Sequence, residues 1–220
     1  MGARGRIIVL LFLTLIVCAV ALAVLRLQQP MYAGQPFKKW LDDSTSESMS
    51  QREKASIILT KILESDERWE NRAIAAMHIG LSGVRTDTVW TSLARALKDD
   101  HPGVRRAVVR AFVLLRPVPE QQMSVLLDGL SDEDEDVRHG VLRVLAGLGP
   151  EGEAAAKILV SRLRTAQGEK CERIIRGLAC LGERARLAAP DLRELLNDND
   201  ERVRNLAAEA LSRIEKPVMQ

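Results

Sequence analysis

The sequence predicts an all-α chain: an α-solenoid of about five helical hairpins behind one N-terminal transmembrane helix. Three observations predict it. An apolar run stands at the start, the remainder repeats itself every 33 residues, and the composition is 46% hydrophobic with only 3% aromatic residues. The apolar residues are mostly Leu, Ala, Val and Ile, a mix that favours helices over sheets. The division that follows is 1–26 for the membrane segment, 27–49 for a linker with a short capping helix, and 50–220 for the solenoid.

Ile7 to Leu25 contains only Thr14 and Cys18 as polar members. As a helix it spans about 28 Å, close to the hydrocarbon core of a bilayer. The alternative is a cleaved signal peptide, with Arg4 and Arg6 as its basic head and Ala21-Leu22-Ala23 as a small-x-small cleavage site. Length favours the uncleaved anchor, because signal-peptide cores run about 7 to 15 residues. A lipoprotein site at Leu15-Ile16-Val17-Cys18 fails on the bulk of Val17. Arg4 and Arg6 place the N-terminus in the cytoplasm, against Arg26 on the other side, with Lys38 and Lys39 reducing the asymmetry. The expected location is therefore the cell membrane, single-pass, with the solenoid outside the cytoplasm, or secreted if the segment is cleaved.

Aligning the chain with itself reveals the repeat. Leu93, Leu126, Leu159 and Leu192 share one phase; Leu97, Leu130, Leu163 and Leu196 share another; Ile79, Phe112, Leu145, Leu178 and Leu211 share a third. Two polar columns run with them. Arg72, Arg105, Arg138 and Arg204 have Cys171 in the fourth slot, and Asp66, Asp99, Asp132 and Asp198 have Thr165 there.

Each unit reads as two helices. In the third, Val137, Val141, Leu145 and Leu148 make an apolar stripe from Glu135 to Leu148, which Gly149-Pro150 ends. Ala155, Ile158, Leu159 and Leu163 mark the second helix, Glu151 to Arg164. Asp134 and Asp200 stand at N-cap positions, and Pro102 takes the first helical position of its unit, where a missing N–H costs nothing. The last unit holds one helix, Glu201 to Ile214, before Lys216-Pro217. A lone pair cannot bury its stripe, whereas stacked pairs can.

These residues carry a family resemblance. Asp198-x-Asp200-x-x-Val203-Arg204-x-x-Ala207-Ala208-x-Ala210-Leu211, preceded by Ala185-x-x-Ala188-x-Pro190-x-Leu192-x-x-Leu195-Leu196, resembles a bacterial HEAT repeat of the type also found in phycobilin lyases. The resemblance covers roughly residues 50 to 216. Tyr32-x-Gly34-x-Pro36-Phe37-x-x-Trp40-Leu41 is similar to the lead-in of membrane-anchored HEAT proteins. The resemblance implies that Asp66, Asp99, Asp132 and Asp198 form a ladder with Arg72, Arg105, Arg138 and Arg204, within or between units. Thr165 and Cys171 then leave the fourth unit without its rung. Pro190 departs from Lys157 and Ser124 in the same slot and predicts a kink or delayed helix start.

Several chemistries are weighed against these residues. With Arg4, Arg6 and Arg26 set aside, 29 basic residues face 30 acidic ones, which does not make a nucleic-acid surface. Asp132-x-Asp134-x-Asp136 opens like a calcium loop, but Val137 and Arg143 stand where Gly and a bidentate Glu are needed. His78, His101 and His139 have no neighbouring His or Cys, so no metal is expected. Cys171 and Cys180 fall on opposite faces of one helix, roughly 13 Å apart along its axis, beyond disulfide reach. Trp40, Trp69 and Trp90 read as cap and core residues at the start of the stack, Phe37, Trp40 and Leu41 forming a short apolar face.

One column points outward. Arg110, Arg143 and Arg176 share a slot turned about 160° from the stripe of Val108, Phe112 and Leu115, and Arg106 flanks it. Arg110 and Arg143 have no carboxylate at i±3 or i±4. The resemblance places these side chains in the concave groove, where they would hold an acidic segment of a protein partner. The expected function is a membrane-anchored scaffold or adaptor without catalysis or cofactor. The alternative is lyase-like or chaperone-like handling of a bilin or other tetrapyrrole.

Overall fold

The computed structural model describes residues 30–215. The expected membrane segment, Ile7 to Leu25, lies outside them; among the described residues no helix is long and apolar enough to cross a membrane. The chain divides into two units, one ending at Asp42 and the other running on from Asp43.

In the first unit, β1 (Met31–Tyr32) and β2 (Gln35–Pro36) form a small antiparallel hairpin, Met31 opposite Pro36 and Tyr32 opposite Gln35. The sequence reading did not foresee it. The turn needs two residues at positive φ, supplied by Ala33 (48°) and Gly34 (75°). Helix α1 (Phe37–Ser44) follows at once. The Trp40 indole N–H donates to the Tyr32 carbonyl at 2.8 Å, and the Tyr32 and Phe37 rings meet edge to face.

The second unit is a stack of helices in two layers. They are α2 (Met49–Ser65), α3 (Trp69–Ser82), α4 (Asp87–Ala96), α5 (Pro102–Leu115), α6 (Glu120–Asp128), α7 (Glu135–Ala146), α8 (Gly152–Leu163), α9 (Gly168–Leu181), α10 (Ala189–Glu194) and α11 (Glu201–Ile214). Odd-numbered helices from α3 to α11 pack on one another in succession, as do α2, α4, α6 and α8. Helix starts follow local chemistry. Thr86, His101, Asp134 and Asp200 side chains each accept a backbone N–H from the first turn, and Pro102 occupies the first turn of α5.

Two predicted ends are shorter than read: α7 stops at Ala146, before Leu148, and α8 runs from Gly152 to Leu163. Gly147 and Gly149-Pro150 break the backbone before the apolar stripe is exhausted, so Leu148 is buried from the turn. Pro190 stands in the first turn of α10, whose start at Ala189 is delayed behind a 3-10 stretch, Gly182–Ala188.

The core lies between the layers and is built from the repeat columns. Leu93, Leu126, Leu159 and Leu192 are all fully buried, as are Ile79, Phe112 and Leu178. Burial of such side chains stabilises by about 1.5–3 kcal/mol each. The column of Leu97, Leu130 and Leu163 is buried too, but its last member, Leu196, is 39% exposed. Helices α3 and α5 approach so closely that a Cβ on Gly80 would lie 2.8 Å from the Ala111 Cα.

Candidate binding face of the first helices

The Asp and Arg columns meet at the turns that start α3, α5, α7 and α11. Arg72 grips Asp99 of the next unit with Nε and Nη2, at 2.8 and 2.9 Å, and Arg105 grips Asp132 at the same distances. The Nη1 of each points back at its own turn: Arg105 to the carbonyls of Asp99 and Asp100, Arg72 to those of Asp66 and Glu67. The Asp carboxylates also hold their turns, Asp99 accepting the His101 N–H, Asp132 that of Asp134, Asp198 that of Asp200 and Asp66 that of Arg68. Among the described residues Arg138 and Arg204 keep the backbone half of the arrangement alone, donating to the carbonyls of Asp132 and Glu133 and of Asp198 and Asn199.

This geometry tunes the charges. Burial works to raise the Asp99 carboxyl, but the Arg72 guanidinium and the His101 N–H outweigh it and hold it below the ordinary carboxylate range. Arg105 is raised above its ordinary value, mainly by its hydrogen bond to Asp132.

The outward arginine column is less uniform than the sequence reading had it. Arg110, Arg143 and Arg176 are exposed, and Arg110 and Arg143 line one narrow groove together with Arg106, Asp136, Val109, Val113 and Gly140. Arg106 belongs to a different network: its Nε donates to Asp134 at 2.9 Å, a second nitrogen donates to the other oxygen, and Asp136 stands 3.4 Å away. The pair spans 28 residues of sequence, so no i±4 count could find it. Arg176 lines a separate cavity, with its guanidinium 4.0 Å from Glu172. The structure therefore brings Arg110 and Arg143 together, engages Arg106, and sets Arg176 apart.

The sequence reading placed Trp69 and Trp90 in cap or core. Trp90 is 3% exposed and packs against Phe112, but Trp69 is 38% exposed. Its ring stacks on His101 at 3.7 Å, because His101 is itself held by accepting the Gly103 N–H on Nδ1, and Gly103 leaves room for the indole. Trp69, Ala73, Ile74 and Met77 on α3 face Gly103, Ala107 and Arg110 on α5 across a groove of about 470 Å3. Ile74 is 40% exposed there. The spacing Trp69, Ala73, Met77 on one helical face was the available signal; the aromatic count hid it.

Cys171 is buried and Cys180 half-buried, both free, and burial pushes both thiols up in pKa, leaving them protonated at neutral pH. Among the described residues no three His, Cys, Asp or Glu side chains converge as a metal site would need.

Residues 58–120 match the HEAT repeats family. Among solved structures, the archaeal HEAT-like repeats protein from Thermococcus onnurineus NA1 aligns over 88% of this chain and 84% of its own, at 15% identity and a TM-score of 0.52. The stack has the HEAT-like repeat fold. A chain of the complex of CpcE and CpcF of phycocyanin lyase from Nostoc sp. PCC7120 is 22% identical over 73% of this chain and 65% of its own, with a TM-score of 0.48. A designed armadillo repeat protein in complex with the peptide (KR)4 is 20% identical over 81% of this chain and 91% of its own, at 0.47. No curated protein matches the chain. In the HEAT-like frame the odd-numbered helices from α3 to α11 form one continuous face, and both grooves lie on it.

Proposed function

We propose that this chain is a HEAT-like scaffold that grips a partner polypeptide along the face of α3, α5 and α7 and holds it at a membrane. The observation that carries the reading is the groove between α3 and α5, where exposed Trp69 and Ile74 stand beside Arg110. Trp, Met and Arg are the residues enriched where proteins bind one another. Arg110 and Arg143 line the adjoining groove, where Asp136 is engaged by Arg106, and leave two arginines suited to carboxylates. The occupant is an acidic segment carrying an apolar side chain, and it is bound without catalysis.

Membrane attachment rests on the length and hydropathy of Ile7 to Leu25, and the outward orientation of the solenoid on Arg4 and Arg6. A phosphatase fused to the C-terminus should be active outside the cytoplasm; activity of a cytoplasm-only reporter there refutes the orientation.

The binding reading is tested by placing a photocrosslinking residue at Ile74 of the full chain in cells and identifying the captured protein. Replacing Arg110 and Arg143 by Glu should reduce capture at least tenfold with little change in thermal stability, and Trp69→Ala should do the same. Capture at normal yield in both variants overturns it.

A further inference from the structure

The fourth unit interrupts the Arg–Asp ladder on both sides, Thr165 leaving Arg138 and Cys171 leaving Asp198 without a cross-unit partner among the described residues, and Arg138 lines a cavity. Arg138 stands in the slot of Arg72 and Arg105 and uses Nη1 as they do, on the carbonyls of Asp132 and Glu133 at 2.8 and 2.9 Å. In Arg72 and Arg105 the other edge, Nε with Nη2, is filled by the carboxylate of the following unit. For Arg138 that position is Thr165, whose hydroxyl turns to the Arg162 carbonyl.

The backbone has not moved out of register to cause this. The Thr165 N–H bonds to the carbonyl three residues back, as those of Asp99, Asp132 and Asp198 do. Among the described residues no carboxylate pairs with Arg138.

Arg138 is one of the residues lining a cavity of about 230 Å3 between α7, α9 and α11. The two glutamates of α9 on the wall are paired, Glu172 with Arg202 at 3.4 Å and Arg176 at 4.0 Å and Glu169 with Arg173 at 2.7 Å, while Glu135 lies 3.8 Å from the His139 ring. Leu130 and Leu142 supply an apolar side to the same space. A planar fork held by two backbone carbonyls loses little freedom on taking a second partner.

We infer that this cavity is a carboxylate-binding site, in which an external alkyl carboxylate takes the place that the ladder gives to Asp elsewhere. Its two oxygens sit on Nε and Nη2 of Arg138 and its methylene groups lie against Leu130 and Leu142. A free small carboxylate and the acidic side chain of a partner share this chemistry. The site does not depend on the Trp69 groove.

The test uses the full chain in detergent with arginine labelled by nitrogen-15, at constant ionic strength, observing the Arg138 Nε–H resonance. Acetate, N-acetyl-aspartate N-methylamide and an acidic hexapeptide are titrated in turn, with inorganic phosphate for comparison. A saturable downfield shift of Arg138 is expected with the carboxylates. Saturation by the peptide at a concentration tenfold or more below acetate assigns the site to a partner's side chain; equal concentrations assign it to a free carboxylate, and both support the inference. Thr165→Asp should close the rung internally, shift Arg138 without ligand and abolish the titration. Arg138→Gln, which keeps the site's other residues, should abolish protection of the cavity's other amides by carboxylate and covers the case in which Thr165→Asp does not fold. Absence of saturation, an unchanged titration in Thr165→Asp, or phosphate saturating below every carboxylate overturns the inference.

Discussion

Arg105 and Asp132, 27 residues apart in sequence, meet through two parallel hydrogen bonds of 2.8 and 2.9 Å with side chains only 7% and 10% exposed. The pair ties one repeat to the next while Arg105 Nη1 and Asp132 Oδ1 hold the two turns themselves. Each residue thus works both within its unit and across the joint, which makes the ladder an element of stacking and not a surface ornament.

Removing Asp132 takes both bonds of the fork away and leaves Arg105 with Glu133 at 3.0 Å and its backbone carbonyls. Asp132→Ala should therefore cost about 1.5–3 kcal/mol, measured by urea unfolding, and more than Asp198→Ala, whose carboxylate among the described residues holds its own turn and no arginine. Equal costs for the two would show that the cross-repeat bonds contribute nothing.

Asp134 offers a pH test. The Arg106 guanidinium, aided by the N–H groups of Val137 and Asp136 and opposed by desolvation, lowers its carboxyl from 3.8 to about 2. A carboxyl held lower in the folded than in the unfolded chain stabilises the fold above its unfolded value and loses that contribution as pH falls, here between about 4 and about 2. In Arg106→Ala the Asp134 titration, followed by carbon-13 resonance, should move up toward 3.8; a midpoint unmoved from about 2 would assign the shift to the backbone N–H groups alone.

Gly80 marks a joint of the first-helix layer where backbone meets backbone. A methyl group there would lie 2.8 Å from the Ala111 Cα and 3.1 Å from its Cβ, and backbone cannot swing aside as a side chain would. Gly80→Ala should destabilise by about 1–3 kcal/mol despite the better helix propensity of alanine. A rise in unfolding temperature would contradict the close approach of α3 and α5.

The start of α9 should open before the other first helices. Gln167 provides no side-chain cap, Gly168 sits at φ +57°, and the ladder residues are absent, whereas α5, α7 and α11 all begin with a capping side chain. Amide exchange from Thr165 to Glu172 should be faster than in the corresponding turns of α5 and α7. Slower exchange there would mean that the Glu172 ion pairs hold the turn instead.

The period, the all-helical class and most helix starts were legible along the chain, because they follow from spacings of three and four residues and from caps lying next to the helix they begin. Glu201–Ile214 and the first turn at Pro102 were legible for that reason. The short-range count also identified Arg110 and Arg143 as lacking carboxylates three or four residues away. Only the tertiary structure decided the rest: that Arg106 is taken by Asp134, that Trp69 leans outward onto His101, and that Arg138 faces a cavity. Each of these depends on how one unit sits on the next, where groups about 27 to 34 residues apart are brought together. The crossing of packed helices sets that placement, and closely packed glycines such as Gly80 let the backbones approach; periodicity along a single helix carries no record of it.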